Sequence, residues 1–495
     1  MRHFATLLAV LVAAPVVAQP VVSVPAIPGA LNEIANAETV IAGTIFELQR
    51  GQTYLTTEQL NPVVDVTFRA TGEGDCVTTF QGIGNGEFSG CALIRTSDPA
   101  GGGGDTFRAF DVRNNGTIAI TLEDIALTNR TPLGVAENRQ IRLREDGSSL
   151  TAIDVVFFDE TEDVIRLDGP NTTVILDTVL GASIGSFDGD GNPVGSEGNF
   201  IDTRDSNVSE IKITNSTFYS INNAFIRGGR ANIGSLELRN NTYHHLRRFF
   251  FQESGGDGTD PADRSIIENS LIENLMVINA GFEGGEEDEG ELETLEVFEA
   301  DSLEAGGSHL VRNLNVFVDP ADIEGPGPVV FLSDAFEGIA DEADFLNESP
   351  ATLGFADPQP APFDFAGQPY DYSYTGGASL TGGTDGQPIG ALVWFGLMVD
   401  AEDEAPLARA FALEAAYPNP FAERATLRYR LDEAAEVRLE VYDLLGRSVA
   451  LLADRFQAAG SYDATLDAAG LSSGTYVVRL NAGGQTQTQR LTVVR

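Results

Sequence analysis

The sequence is short of basic charge. Of its 495 residues, 30 are Lys or Arg and 74 are Asp or Glu, for a formal net charge of −44. Lysine is almost missing: Lys212 is the single one among the 30 basic residues, which leaves 29 arginines. A balance this acidic excludes function classes that neutralise phosphate, so no nucleic-acid partner is expected. It equally argues against attachment to anionic lipid. Only two cysteines and four histidines are present. No Cys/His zinc spacing, Ser-His-Asp context or phosphate-binding loop can be assembled from them and their neighbours. After the N-terminus no apolar run reaches the ~20 residues of a spanning helix, so no integral membrane segment is expected in the mature chain.

The N-terminus itself is apolar. Arg2 and His3 precede Phe4 to Val17, and Val16-Val17-Ala18 supplies a small-residue cleavage site ahead of Gln19. Residues 1–18 read as a secretory signal peptide. The run is shorter than a membrane anchor needs, and no lipid-accepting cysteine follows it. Export brings the chain into an oxidising compartment, where Cys76 and Cys91 are expected to form a disulfide across a Gly-rich loop.

The mature chain falls into three parts. Residues 19–398 are short β-type runs broken by Gly, Asn, Asp and Ser, with amphipathic helical stretches scarce. Residues 399–412, including Asp400 to Pro406 (DAEDEAP), form an acidic linker. Residues 413–495 differ in charge: ten acids face nine arginines, so −43 of the −44 lies elsewhere. Within this last part Leu427 to Leu431, Gly460 to Leu466, Gly474 to Leu480 and Gln489 to Val494 read as strands, and Val437 to Arg447 as a strand running into a turn, of a small all-β sandwich.

The long region carries a concealed repeat, apolar-x-Asn/Asp-x-x-apolar. It occurs at Leu122-Glu-Asp124-Ile-Ala-Leu127, Ala152-Ile-Asp154-Val-Val-Phe157 and Ile175-Leu-Asp177-Thr-Val-Leu180. It returns at Ile213-Thr-Asn215, Leu238-Arg-Asn240, Ile267-Glu-Asn269 and Val311-Arg-Asn313. Two short strands meeting at a corner explain it, because Asn and Asp tolerate left-handed backbone angles. Inward apolar residues then stack on those of the next coil. This is the pattern of a right-handed parallel β-helix; an antiparallel sandwich would show hairpins at tighter, more regular spacing.

Two resemblances follow from particular residues. Gly43-Thr-Ile-Phe-Glu-Leu-Gln-Arg-Gly-Gln-Thr-Tyr54 with Val66-Thr-Phe-Arg-Ala70 resembles the opening coil of the pectate-lyase-like β-helix superfamily, in the manner of its chondroitinase-B-like and alginate-lyase-like members. Gly382-Gly-Thr-Asp-Gly-Gln-Pro-Ile-Gly-Ala-Leu-Val-Trp394-Phe395 resembles the closing segment of related secreted β-helix proteins. The last part, with Tyr417-Pro-Asn-Pro-Phe421, Val441-Tyr-Asp-Leu-Leu-Gly-Arg447 and Gly470-Leu-Ser-Ser-Gly-Thr-Tyr-Val-Val-Arg-Leu480, resembles the type IX secretion C-terminal sorting domain. That resemblance implies passage through the periplasm, recognition by an outer-membrane translocon, and a destination in the medium or on the outer cell surface.

The superfamily resemblance implies a polysaccharide partner and, were the protein an enzyme, a polysaccharide lyase or glycoside hydrolase acting through a base and a charge-neutralising cation, or through clustered carboxylates. The alternative is a non-catalytic structural or adhesive surface protein. Candidate ligand-binding residues are Arg227 and Arg230, with His244, His245 and Arg247 about one coil later, a set suited to uronate carboxylates. Asp188-Gly-Asp190-Gly-Asn192 has the oxygen-rich character of a Ca²⁺ loop, though it also reads as a plain turn. Glu286 to Glu289 reads as a solvated acidic loop. Chondroitinase-B-like lyases carry a base lysine in a Ser-x-Lys-Ser context and an Arg-His-Gly. Lys212 lacks that context, so no catalytic residue is carried across. Acid excess with arginine in place of lysine suits a halophilic setting, where salt screens self-repulsion.

Overall fold

The structure, a computed structural model, describes residues 19–72, 74–80, 90–96, 108–113, 116–129, 139–187, 193–194, 198–203, 206–228, 232–251, 270–273, 275–280, 309–317, 345–346, 348–355, 371–397, 412–413, 421, 424–431, 435–443, 447–457, 460–471, 474–482 and 485–493. The expected signal peptide, most of the expected linker, Glu286 to Glu289 and Asn269 lie outside the described residues. The chain divides into two compact units, Met1–Met398 and Val399–Arg495.

The first unit is a parallel β-helix with three faces. The first face stacks Val21–Val24, Thr44–Leu48, Val66–Ala70 and Ala119–Glu123, then the opening halves of Ser149–Glu160 and Thr172–Ile184, then Val208–Thr214, Leu236–Arg239, Ser270–Glu273 and Leu310–Arg312. The second begins with Thr53–Thr56, Ala92–Thr96 and Ile125–Thr128, continues through the closing halves of the two long strands, and runs on to Leu314–Phe317. The third holds short strands: Phe110–Val112, Ile141–Leu143, Ile165–Leu167, Ile201–Asp202 and the ends of Thr217–Arg227 and Thr242–Phe251. All these pairings are parallel, and their register holds from coil to coil apart from shifts between Thr172 and Thr173 and between Ile221 and Ala224.

The corner between the first two faces is where the repeat predicts it. Asp124, Asp154, Asn215, Asn240 and Asn313 all have φ between 50° and 57°. One coil departs: the left-handed residue there is Thr178, φ 54°, and Asp177 is the last residue of the first face, paired with Ile153. The correct alignment therefore puts Leu176, not Ile175, in the column of Leu122, Ala152 and Ile213. Ile175 is an outward residue, and an apolar side chain on both faces of the strand hides the slip.

Inward residues form one continuous core from Val24 to Val316. One stretch of it is aromatic. Phe157, Gly181, Phe218 and Tyr243 occupy one column, and Phe200 enters from the third face at 4.6 Å from Phe218 and 5.9 Å from Phe157. Gly181 makes room for it: a Cβ there would stand 2.6 Å from the Phe200 ring and 2.8 Å from that of Phe218. Gly181→Ala is expected to cost about 1–3 kcal/mol through overpacking, measured as a lower unfolding midpoint. An unchanged midpoint would mean that Phe200 has another place to go.

The outer side of the second face is apolar too, and it is covered. Near one end Cys76, Val77, Phe80 and Cys91 lie over Leu93, Ala126, Val156 and Phe158. Cys76 and Cys91 are disulfide-bonded, so the staple holds this cover in place. Further along, residues 371–397 lie over the later coils. The Trp394 indole donates to Thr217 Oγ1 at 2.7 Å and the Ala391 amide to Thr242 Oγ1 at 3.0 Å. At the N-terminal end the helix Ala30–Ala35 inserts Leu31 and Ala35 into the core, and Asn32 and Asn36 tie it to the backbone of residues 57–61.

The second unit is a two-sheet β module. Ala412–Leu413, Arg424–Leu431 and Gly460–Asp467 form one antiparallel sheet; Ser448–Gln457, Ala435–Asp443, Gly474–Ala482 and Gln485–Val493 form the other. Leu427, Tyr429 and Leu466 from the first meet Val437, Leu439, Val478, Leu480 and Leu491 from the second in a single core.

Candidate functional site: an arginine-rich face

The third face differs from the other two in what it turns outward. Its strands alternate apolar, charged, apolar: Phe110-Asp111-Val112, Ile141-Arg142-Leu143, Ile165-Arg166-Leu167, then Ile201-Asp202 and Ile226-Arg227. The apolar members are buried in the core. The charged members stand in register, Asp111 beside Arg142, Arg142 beside Arg166, Arg166 beside Asp202 and Asp202 beside Arg227. One charged side chain per coil repeats at the ~4.7–4.9 Å spacing of neighbouring strands.

Arginines outnumber the acids that hold them. Asp111, fully buried, accepts two hydrogen bonds from Arg144 at 2.8 and 3.0 Å, with Arg108 at 3.6 Å and Arg113 at 3.7 Å. Asp168 takes both Arg142 and Arg166, the latter at 2.9 Å. Asp202, also fully buried, has Arg227 at 3.8 Å. Six arginines thus share three carboxylates.

The titration behaviour follows the crowding. Burial pushes the Arg108 guanidinium down to about 10, the charges of Arg142, Arg139 and Arg144 push the same way, and Asp111 opposes them. Arg142 is lowered as well: burial outweighs the support of Asp168, and Arg144 and Arg166 add to the shift. Burial would raise the Asp168 carboxyl, but the hydrogen bonds and charges of Arg166 and Arg142 prevail and hold it below its ordinary value. Such a set of partly buried, part-neutralised guanidinium forks can bind carboxylate or sulfate groups bidentately.

Of the residues singled out in the sequence, Arg227 lies on this face. His244 does not. The strand Thr242–Phe251 turns a corner, which puts His244 beside Tyr219 on the outer side of the second face. There it is fully buried, with Nδ1 3.4 Å from the Tyr372 hydroxyl. Arg227 and His244 therefore do not share a face: a one-coil offset in sequence does not keep two residues on one face of a three-faced helix. For His245 and Arg247 only the backbone is described, and Arg230, Asp188, Asp190 and Asn192 lie outside the described residues. Lys212 projects from the first face and pairs with Glu237 at 3.3 Å. Among the described residues no group of three or more His, Cys, Asp or Glu side chains is placed to hold a metal ion, and no helix is long and apolar enough to cross a membrane.

Asp111, Arg142, Arg166, Asp168 and Asp202 lie outside the motifs that the sequence marks. The signal was there: the tripeptide Ile-Arg-Leu occurs at 141–143 and again at 165–167. Three residues are too few to register as a strand by periodicity alone, so the repeat passes unnoticed.

No curated protein matches the chain. Residues 415–494, within the second unit, match the family described as the secretion system C-terminal sorting domain, which marks the protein as one secreted or displayed on the outer surface.

Proposed function

We propose that this is a type IX-exported protein whose β-helix binds acidic polysaccharide along the third face. The observation that supports it is the set of six arginines sharing three aspartates on one side of a chain whose net charge is −44. A local excess of positive charge in so acidic a chain suits a polyanion, and arginines on successive coils, Arg142 and Arg166, suit a polymer with a carboxylate on each sugar. The signal peptide starts the route, the periplasm oxidises the cysteines, and the C-terminal module is read by the translocon. An acid-rich, lysine-poor exterior suits saline surroundings, where a Debye length of about 3 Å at 1 M salt screens self-repulsion.

The test is affinity for polygalacturonate, alginate and chondroitin sulfate, with a neutral glucan as control. Replacing Arg142 and Arg166 together by Gln is expected to weaken binding of the acidic polymers at least tenfold, since each charge-assisted hydrogen bond contributes roughly 1.5–3 kcal/mol. Equal binding of neutral and acidic polymers, or an unaffected variant, would overturn the proposal. A second reading, binding without turnover, is favoured by Lys212 lying against Glu237 on another face and by His244 lying buried beneath Tyr372. Absorbance from unsaturated products, with and without added Ca²⁺, separates it from a lyase.

A further inference from the structure

The second unit exposes an apolar row where a soluble module ordinarily protects itself. Ser448–Gln457 is the outermost strand of the four-stranded sheet, paired on one side with Ala435–Asp443. Val449, Leu451 and Phe456 on it are 38%, 52% and 63% exposed, and only five other large hydrophobic residues among those described are exposed to a similar degree. Register places Leu451 opposite Glu440 and Phe456 opposite Glu436, on the side of the sheet turned away from the core residues Val437, Leu439 and Val441. Sheet edges of this kind are normally blunted with lysine, proline or a very short strand. This one is ten residues long and contains no proline, and its charged residues, Asp454 and Arg455, lie in its C-terminal half. Bulges between Leu439 and Glu440 and between Val441 and Tyr442 twist the pairing without hiding Leu451 or Phe456.

The rim is basic. Arg438, Arg447, Arg455 and Arg479 are exposed around the row. Arg438 is held by Glu440 at 2.8 and 2.9 Å, and Arg479 lies 5.2 Å from the centre of the Tyr442 ring. A second copy presenting the same strand is a poor occupant, because it would set one arginine rim against another. We propose that the strand Ser448–Gln457 is the surface by which the sorting module docks onto a protein of the export apparatus, a partner that presents an apolar strand edge rimmed with acidic side chains. The partner adds a strand to the open edge, its backbone pairing with that of residues 448–457, while Leu451 and Phe456 enter apolar pockets and acids meet the arginine rim.

The proposal rests on the sorting role of the module, and the experiment keeps the two apart. Full-length protein with Leu451→Thr and Phe456→Thr is expressed in the exporting cell, beside wild type and a chain lacking residues 413–495. Threonine keeps strand propensity at exposed positions, so unfolding of the purified variant is expected at the wild-type midpoint. Its surface and medium fraction is expected to fall roughly tenfold or more, as loss of two central apolar anchors implies, with precursor accumulating in the periplasm. If the deletion is exported normally, the sorting role itself fails. If the deletion is retained and the double variant is exported like wild type, the docking surface is wrong. A variant that unfolds early is replaced by Phe456→Thr alone, the most exposed position, read in the same way. A wild-type dimer in sedimentation that the substitutions dissociate would give the strand to a second copy and overturn the proposal as well.

Discussion

Asp111→Ala is expected to destabilise the β-helix by about 3–5 kcal/mol, the range for breaking a buried ion pair from one side. Asp111 is fully buried and has arginines on three sides. Arg113, 45% exposed, and Arg144, 29% exposed, can turn toward water when the carboxylate goes. Arg108, at 8%, cannot. It keeps Arg142, Arg139 and Arg144 as neighbours and loses the anion that opposed them. The cost is therefore that of a nearly buried charge deprived of its opposing carboxylate. Arg108→Met placed on Asp111→Ala is expected to recover a good part of the loss, because it removes that charge and retains apolar volume. The contrast is the pair Glu47 and Arg69 at 2.7 Å on the first face, 25% and 36% exposed, where Glu47→Ala should cost below about 1 kcal/mol. Denaturant unfolding of the three variants decides it. An Asp111→Ala protein within 1 kcal/mol of wild type would show that Arg108 reaches solvent or another acid.

The same residues show what the sequence could and could not disclose. The β-helix was legible because its corners are chemically marked. Asp124, Asp154, Asn215 and Asn240 hold left-handed backbone angles that most other residues resist, so the corner leaves a trace in residue type. Thr178 holds the same angle without the mark, and the alignment slipped by one residue there. The three-faced plan was less legible. The third face consists of two- and three-residue strands, and which face a residue joins depends on corners that carry no fixed residue type, such as Asp159, Ser183 and Ser220. That is why Arg227 and His244 looked like neighbours. The cover on the second face was half visible: the Gly382 to Phe395 stretch read as a closing segment, but only contacts such as Trp394 with Thr217, far apart in sequence, show that it lies over a sheet.

Asp124→Asn is expected to make the protein more resistant to alkali. Asp124 and Asp154 occupy successive corners of the β-helix, and their carboxyl groups share a hydrogen bond. Asp154 also accepts the backbone amides of Cys76 and Val77, the latter at 2.8 Å, so it anchors the stapled cover of the second face. Arg50 approaches Asp124 from the other side, at 3.2 Å. Burial and then the hydrogen bond with Asp124 push Asp154 up to about 8, the amides of Cys76 and Val77 oppose the shift, and the charge of Asp75 adds to it. A carboxyl raised in the folded state holds its proton more tightly there than in the unfolded chain. The stability it contributes is complete below the ordinary value of 3.8, falls as pH climbs, and is gone once pH passes about 8. Across that window the loss amounts to several kcal/mol at ~1.36 kcal/mol per unit. Asparagine at 124 supplies the shared proton permanently: its amide donates to an ionised Asp154, whose contacts with Cys76 and Val77 stay intact, while its carbonyl still accepts from Arg50. The variant should lose about 1 kcal/mol at pH 5, where a partly exposed charge pair is given up, and should exceed wild type at pH 9. Unfolding midpoints from pH 4 to 9.5 are expected to cross. Parallel curves would mean that the two aspartates share no proton, and that the cover is held by the disulfide and its apolar contacts alone.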